Sequence, residues 1–243
     1  MPLAEAEIAR ARLLPLAPGG FEENDVGADV ELVVYVDDLG EERVRAEFGG
    51  VHATPVEAGW EDRWRAFHRP VRAAGLWIGP PWERRPAGEP AVVVDPGRAF
   101  GTGAHPTTRA CIELLAGVAR GSVLDAGCGS GVLAVAAVRL RFGPVFAVDH
   151  DPHAVDAAER TARENRVSVS VSAADVLVDK LPRVDVVVAN IELRAVEALL
   201  ARRPAPTTIT SGYLAREVPT AAGFEQVDRL ELDGWAADRF RSI

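Results

Sequence analysis

Two glycine-rich loops hold most of the residues whose type and spacing could do chemistry: "DPGRAFGTGAHPTT" (95–108) and "DAGCGSG" (125–131). Loops of this kind that open helices commonly hold anions on their backbone amides. The second loop argues against a phosphate. A dinucleotide loop reads G-x-G-x-x-G, whereas the glycines here fall at Gly127, Gly129 and Gly131, and position 132 is Val. An acid, Asp125, stands two residues before the first glycine. A carboxylate there suits an ammonium group and would repel a pyrophosphate. A GxxxxGK[ST] loop is excluded as well, because the only lysine, Lys180, is far downstream.

Three more polar residues follow at the ends of apolar runs. "PVFAVD" ends in Asp149, 18 positions after Gly131. One carboxylate there can accept hydrogen bonds from both vicinal hydroxyls of a ribose. "VSVSVSAAD" ends in Asp175, where a carboxylate could accept from an adenine amino group; a surface helix cap is the competing reading. "VDVVVAN" ends in Asn190. An ammonium site, a hydroxyl site and an adenine site, with no cationic grip for phosphates, describe S-adenosylmethionine better than NAD or ATP.

These residues need elements to hold them in register. From Ala91 onward short apolar runs alternate with helical patterns. "AVVVD" reads as a strand, 106–119 as a helix with Pro in its first turn, "SVLDAG" as a buried strand and 132–142 as a helix. Then come the strand 144–149, a helix over 151–165 capped by Asp151, the alternating run 167–175, and the strand 184–190. A helix over 192–202, a strand "TTITSG", a helix from Tyr213, and closing strands near 225–232 and 236–241 complete the pattern. Such alternation predicts an α/β fold, a doubly wound seven-stranded Rossmann-like sheet that binds ligand at the carboxyl ends of its strands.

Upstream the pattern differs. Residues 1–57 read as a small α+β unit, with a helical period over 3–14, a strand over 28–38, a short helix over 41–48 and an extended run over 51–58. Residues 58–90 read as a linker helix, with Trp60, Trp64 and Phe67 at helical spacing, followed by a Pro/Trp-rich connection. The expected division is 1–57, 58–90 and 91–243.

Composition narrows the classes. Of 243 residues, 48% are hydrophobic, which is enough for a packed core. The 27 basic and 36 acidic residues leave a net charge of −9, which disfavours direct nucleic-acid binding. Two cysteines, Cys111 and Cys128, form no CxxC pair, and no membrane-length apolar run occurs; both point to a cytoplasmic protein with no membrane partner. "DHDPH" (149–153) could be imagined as a metal site, but Asp151 and Pro152 more simply start a helix, so no metal is expected.

"DAGCGSGVLAVAA", "AVDHDPHAV" and "VVVANI" resemble the class I S-adenosylmethionine-dependent methyltransferases. The motif "DPGRAFGTGAHPTTRACIELL" is narrower: it resembles the signature of the ribosomal protein L-eleven methyltransferases, the PrmA family. The run "WEDRWRAFHRPVRAAGLWIGPPWE", the segment "TITSGYL" and Trp235 are similar to the same family. The resemblance implies methyl transfer from S-adenosylmethionine to lysine side-chain and N-terminal amines of ribosomal protein L eleven, free or in the large subunit. It also implies a small ferredoxin-like N-terminal domain that grips the substrate; in this chain its first strand is missing or very short. Another protein lysine, or a small-molecule amine, is the alternative substrate. The resemblance assigns cofactor contacts to Gly101, Thr102, Gly103, Thr107, Thr108, Asp125, Gly127, Gly129, Gly131, Asp149, His150, Asp175 and Asn190, and the catalytic positions to Asn190, Phe100 and His105.

Within that frame the first loop becomes a lid. Phe100, Gly101 and Gly103 can cross the cofactor's amino-acid end, and Thr107 and Thr108 can offer hydroxyl and backbone donors to its carboxylate. His105 either takes part or shapes the turn. Methyltransferases acting on base or glutamine-amide nitrogens show Asn/Asp-Pro-Pro-aromatic after the fourth strand; "NIEL" departs from that and resembles the Asn-Ile/Leu of the PrmA family, in which this Asn lies beside the methyl and the target nitrogen. The competing reading for Asn190 is a cap for the next helix.

Overall fold

The computed structural model describes residues 22–26, 29–34, 36, 38–54, 68–95 and 103–243, together with Ala9, Arg12, Leu13 and Leu16. Most of the helical pattern over 3–14, the Trp60/Trp64/Phe67 stripe, and Phe100, Gly101 and Thr102 lie outside the described residues. The chain divides into two compact units, Met1–Glu61 and Asp62–Ile243.

In the first unit β1 (Glu22–Val26) pairs antiparallel with β2 (Asp29–Val33), and α1 (Asp38–Glu47) follows. β1 has no clear signal in the sequence, since "EENDV" is polar and lacks alternation. Leu13 and Val44 form a small buried cluster, with Leu16, Leu32, Val34, Phe48 and Val51 against it. Arg12 ties to α1 by donating from Nε to Glu47 Oε1 at 2.7 Å.

The second unit is built on a seven-stranded sheet of order β11-β12-β10-β9-β6-β7-β8. Its strands are β6 (Val123–Ala126), β7 (Val145–Asp149), β8 (Ser170–Ala173), β9 (Val186–Asn190), β10 (Thr207–Leu214), β11 (Phe224–Leu232) and β12 (Trp235–Ser242). The five from β8 to β10 are parallel, and β12 runs antiparallel to both neighbours. Valine-rich runs such as "VVVAN" have no alternation because both faces are covered. The helices are α2 (Pro106–Ala116), α3 (Val132–Arg139), α4 (Pro152–Asn165) and α5 (Leu193–Ala201). From β6 the chain winds outward to β8, then returns to β9 on the other side of β6. That reversal makes the carboxyl ends of β6 and β9 a topological switch point, where a crevice opens.

Part of the stretch read as a connection has regular structure. β3 (Val71–Ala73) and β4 (Leu76–Gly79) form a hairpin, and β4 pairs parallel with β5 (Ala91–Val93) in a separate three-stranded sheet. The free edge of β5 is met by a side chain. Asn165 Oδ1 accepts from Val93 N at 2.8 Å, and its Nδ2 donates to Val93 O at 2.6 Å. The carboxamide thus replaces one residue of a neighbouring strand.

The helix expected from Tyr213 is absent. β10 continues through a bulge at Gly212 (φ 103°) to Leu214. The Tyr213 hydroxyl is buried against Asp238, to which it donates at 2.8 Å, and that anchor holds the residue in the sheet. Asp238, fully buried on β12, also accepts from Gln226 Nε2 at 2.6 Å and Arg229 Nη1 at 2.8 Å. A buried carboxylate is stable there because each donor compensates part of its lost hydration.

Candidate functional site

The glycine loop between β6 and α3 is closed on itself. Gly127 N and Cys128 N both donate to Val148 O (2.9 and 3.0 Å), and Gly131 N donates to Cys128 O at 2.8 Å. Gly129 N donates to Asp149 Oδ2 at 2.9 Å. With these four amides occupied, the loop is a poor anion cradle, in agreement with the spacing argument against a phosphate. Gly131 starts α3 in the left-handed conformation (φ 77°), and a Cβ there would stand 2.9 Å from Ala158.

Asp125 lies beneath this loop and is 1% exposed. Its Oδ2 accepts from Ala134 N at 2.9 Å, while Oδ1 is buried with no hydrogen-bond partner among the described residues. Burial pushes the carboxyl up to about 7, the Ala134 amide opposes this, and the charge of Asp149 adds to it. A buried carboxylate oxygen without a donor favours a cation or a strong donor supplied from outside.

Asp149 closes β7. It holds the loop by Oδ2 and the start of the next turn by Oδ1, which accepts from Asp151 N at 3.0 Å. Each oxygen keeps a second lone pair for an incoming hydroxyl. His150 is 82% exposed at the side chain, with Nδ1 3.5 Å from Asp149 Oδ1. Asp151 caps α4 by accepting from His153 N at 2.9 Å. Among the described residues there is no group of three or more His, Cys, Asp or Glu arranged for a metal. Asp175 is half-buried after β8 and shapes a local turn, its Oδ1 accepting from Leu177 N at 2.8 Å. No helix starts there, so Asp175 shapes a turn and does not cap a helix.

Asn190 stands at the end of β9, and the cap of α5 is Glu192 instead. The Asn190 Nδ2 donates to the hydroxyls of Thr107 (3.1 Å) and Thr108 (3.3 Å) in the first turn of α2. Both threonines are buried at 1% exposure. Their backbone amides are taken by His105: Thr107 N donates to His105 Nδ1 at 3.4 Å and Thr108 N to His105 O at 3.1 Å. Of the donors expected for a carboxylate clamp, the two backbone amides are thus engaged within the turn. The pair pins the Asn190 carboxamide; its amides do not stand open to a carboxylate.

His105 caps α2, with Pro106 in the position that needs no amide partner. Its Nδ1 lies 2.7 Å from Thr107 Oγ1, and its ring meets Trp235 edge-on, with centroids 4.8 Å apart. Burial, then the nearby Arg109 charge, hold the imidazole pKa below its ordinary value. Arg109 itself donates to Asp233 at 2.7 Å, tying α2 to the β11–β12 turn. Gly103 (φ 82°) backs onto Ile78, whose Cγ2 would be 2.4 Å from a Cβ there. Its lack of a side chain is needed for packing against β4.

Two residues without a signal as site residues fix the Asn190 turn. Ile191 follows Asn190 and is gripped from two sides. A Cβ on Gly127 would stand 2.5 Å from Ile191 Cγ2, and one on Gly212 would stand 2.1 Å from Ile191 O. The available clue is Gly212 itself, since a glycine within a strand marks a bulge or a close approach. Ile191 N donates to Ser211 O at 3.1 Å, completing the clamp.

The family described as ribosomal protein L11 methyltransferase (PrmA) matches residues 27–238. Two relatives of that name are from Halalkalibacterium halodurans and Pelotomaculum thermopropionicum. The first is 34% identical over 224 residues, covering 85% of this chain and 70% of that protein. The second is 39% identical over 202 residues, covering 76% and 66%. A third, from Laribacter hongkongensis, is 41% identical over 180 residues, covering 68% and 60%. The chain thus spans about two thirds of the length of these relatives. The crystal structure of a ribosomal protein L11 methylase from Lactobacillus delbrueckii subsp. bulgaricus superposes with a TM-score of 0.64 at 26% identity, covering 72% of this chain and 99% of that one. The resemblance carried by the two glycine loops is thereby borne out, and the chain belongs to the PrmA family of ribosomal protein L11 methyltransferases.

Proposed function

We propose that this chain transfers methyl groups from S-adenosylmethionine to lysine side-chain and N-terminal amines of ribosomal protein L11. The reaction class rests on family membership. The substrate rests on the relatives, which carry that protein in their names. The observation that carries the chemistry is Asn190, whose amide nitrogen is committed to Thr107 and Thr108 at the switch point of the sheet.

The residues present fit the methyl donor. The unpartnered, buried Oδ1 of Asp125 suits its ammonium group. Asp149, with lone pairs to spare at the end of β7, suits the ribose hydroxyls, and in this reading Asp175 accepts from the adenine amino group. The self-bonded glycine loop makes no demand for phosphate. Bound there, S-adenosylmethionine supplies the methyl: the amine lone pair forms the new C–N bond as the C–S bond breaks and its electron pair stays on sulfur.

The chain's own part is alignment and dehydration. A lysine amine has an ordinary pKa of about 10.4 and an N-terminal amine about 8, so a water-poor pocket favours the neutral, nucleophilic form. Asn190 Oδ1 can accept an amine N–H and aim the lone pair. A carboxamide does not retain the proton, which leaves to solvent, so further rounds on the same nitrogen remain open. Residues 1–57 serve as the substrate grip in this reading. The site of action is cytoplasmic, on L11 free or in the large subunit, without direct contact to nucleic acid.

The test is mass spectrometry of L11 after incubation with the protein and isotopically labelled S-adenosylmethionine. Labelled methyl increments on lysines or the N-terminus are expected. Unmodified L11, with label arriving on another protein or small amine, would overturn the substrate; no transfer at all would overturn the reaction.

A further inference from the structure

A carboxamide presents an oxygen and a nitrogen of similar size, and only the oxygen can accept from an amine. Which of them faces the substrate at Asn190 is decided two residues away along a hydrogen-bond chain. It begins at His105, whose Nδ1 accepts from the backbone N–H of Thr107. A backbone amide only donates, so this nitrogen carries no proton and the imidazole is the Nε2–H tautomer. The Thr107 hydroxyl lies 2.7 Å from the same Nδ1. Facing an unprotonated nitrogen, it donates its single proton there.

The consequence passes to Asn190. The Thr107 oxygen, its proton committed, can only accept on its other side, where the carboxamide approaches at 3.1 Å. A carbonyl oxygen in that place would oppose another oxygen with no proton between them. The nitrogen therefore occupies it, shares itself with Thr108 Oγ1, and leaves Oδ1 as the atom for the substrate. The edge-on Trp235 ring fixes the imidazole plane. Arg109, with its partner Asp233, contributes the positive charge that helps keep the ring neutral.

Resting on the methyltransferase reading above, we propose that His105 is a positioning residue whose unprotonated Nδ1 sets the direction of the chain His105–Thr107–Asn190, so that Asn190 Oδ1 faces the substrate amine. The chain then acts unequally over successive transfers. A neutral primary amine has two N–H groups, its monomethyl product one, and its dimethyl product none. Asn190 Oδ1 can accept in the first two rounds and has nothing to accept in the third.

Two measurements test this on the full chain. The first is nitrogen NMR of protein labelled at histidine, which reads the His105 tautomer without any turnover. The Nε2–H form at neutral pH is expected; the Nδ1–H form overturns the proposal. The second compares methyl transfer to unmodified L11 with transfer to reductively dimethylated L11, which can undergo only the third step. Thr107→Val should slow the first transfer about tenfold and the third by less than about twofold, as expected for loss of one oriented hydrogen bond. Thr107→Ser should restore the first step, and His105→Asn, which keeps an acceptor at the cap, should outperform His105→Ala. Equal slowing of all transfers by Thr107→Val overturns the positioning role and leaves the functional reading intact. Absence of transfer by the unaltered protein overturns that reading and this inference together.

Discussion

A methyl group placed on Gly212 would stand 2.1 Å from the carbonyl oxygen of Ile191. The bulge in β10 and the turn after β9 are therefore in direct backbone contact, next to Asn190. Gly212 also has φ 103°, a region that L side chains avoid. Gly212→Ala should lower stability by about 2–4 kcal/mol through strain and overlap together. An unchanged urea midpoint would show that the turn yields at no cost.

Removing the Asn190 side chain tests the reacting position separately from the cofactor site. Asn190→Ala should reduce kcat for L11 about 100-fold, in the range of other lost orienting contacts. Calorimetric affinity for S-adenosylmethionine should stay within about tenfold, since a lost peripheral hydrogen bond costs about 0.5–1.5 kcal/mol. Unchanged turnover would remove Asn190 from the proposed role.

Asp125 links cofactor binding to pH. Its folded pKa, about 7, lies above the ordinary 3.8, so burial of this group is tolerated fully below the lower value. The associated stability is lost as pH rises through the upper one. A cationic group on the carboxylate reverses that penalty. Binding of S-adenosylmethionine should therefore release a proton at about pH 6 and tighten as pH rises toward 7. Calorimetry in two buffers of different ionisation enthalpy measures the release; Asp125→Asn should abolish it. Proton uptake, or none, would place the ammonium elsewhere.

Asp238 is the polar centre of the last three strands. It accepts from Tyr213, Gln226 and Arg229 while fully buried. Asp238→Ala leaves the partly buried Arg229 without that carboxylate and should cost about 3–5 kcal/mol. Denaturant unfolding followed by circular dichroism reads the loss. A change below about 1 kcal/mol would mean that the donors find other acceptors or water.

Deletion of residues 1–57 should leave S-adenosylmethionine affinity unchanged and abolish methylation of L11. Binding by calorimetry and transfer by mass spectrometry are measured on the same preparation. Full transfer by the truncated chain would assign substrate recognition to the second unit.

The sequence by itself determined the alternation of β6, α3, β7, α4 and β9, because buried strands and amphipathic or capped helices are written in nearest neighbours: valine runs, Pro106, Asp151, and a glycine where α3 needs positive φ. It also put Asp125, Asp149 and Asn190 at the ends of strands, which in a doubly wound sheet is one edge. The helix expected from Tyr213 shows where local signals fail. Gly212 reads as the end of a strand, but its bulge lets β10 continue because Asp238, 25 positions later, takes the Tyr213 hydroxyl. β1, the β3–β4 hairpin and the Asn165 cap on β5 likewise depend on partners distant in the chain. Only the tertiary structure decided what Thr107 and Thr108 do. They lie 83 and 82 positions from Asn190. Their contact exists because α2 packs across β9 and β10, and sheet register, not local propensity, sets which side chains meet there. The direction of the hydrogen bonds follows from that contact, since a proton shared by two groups can be assigned only once both are in place.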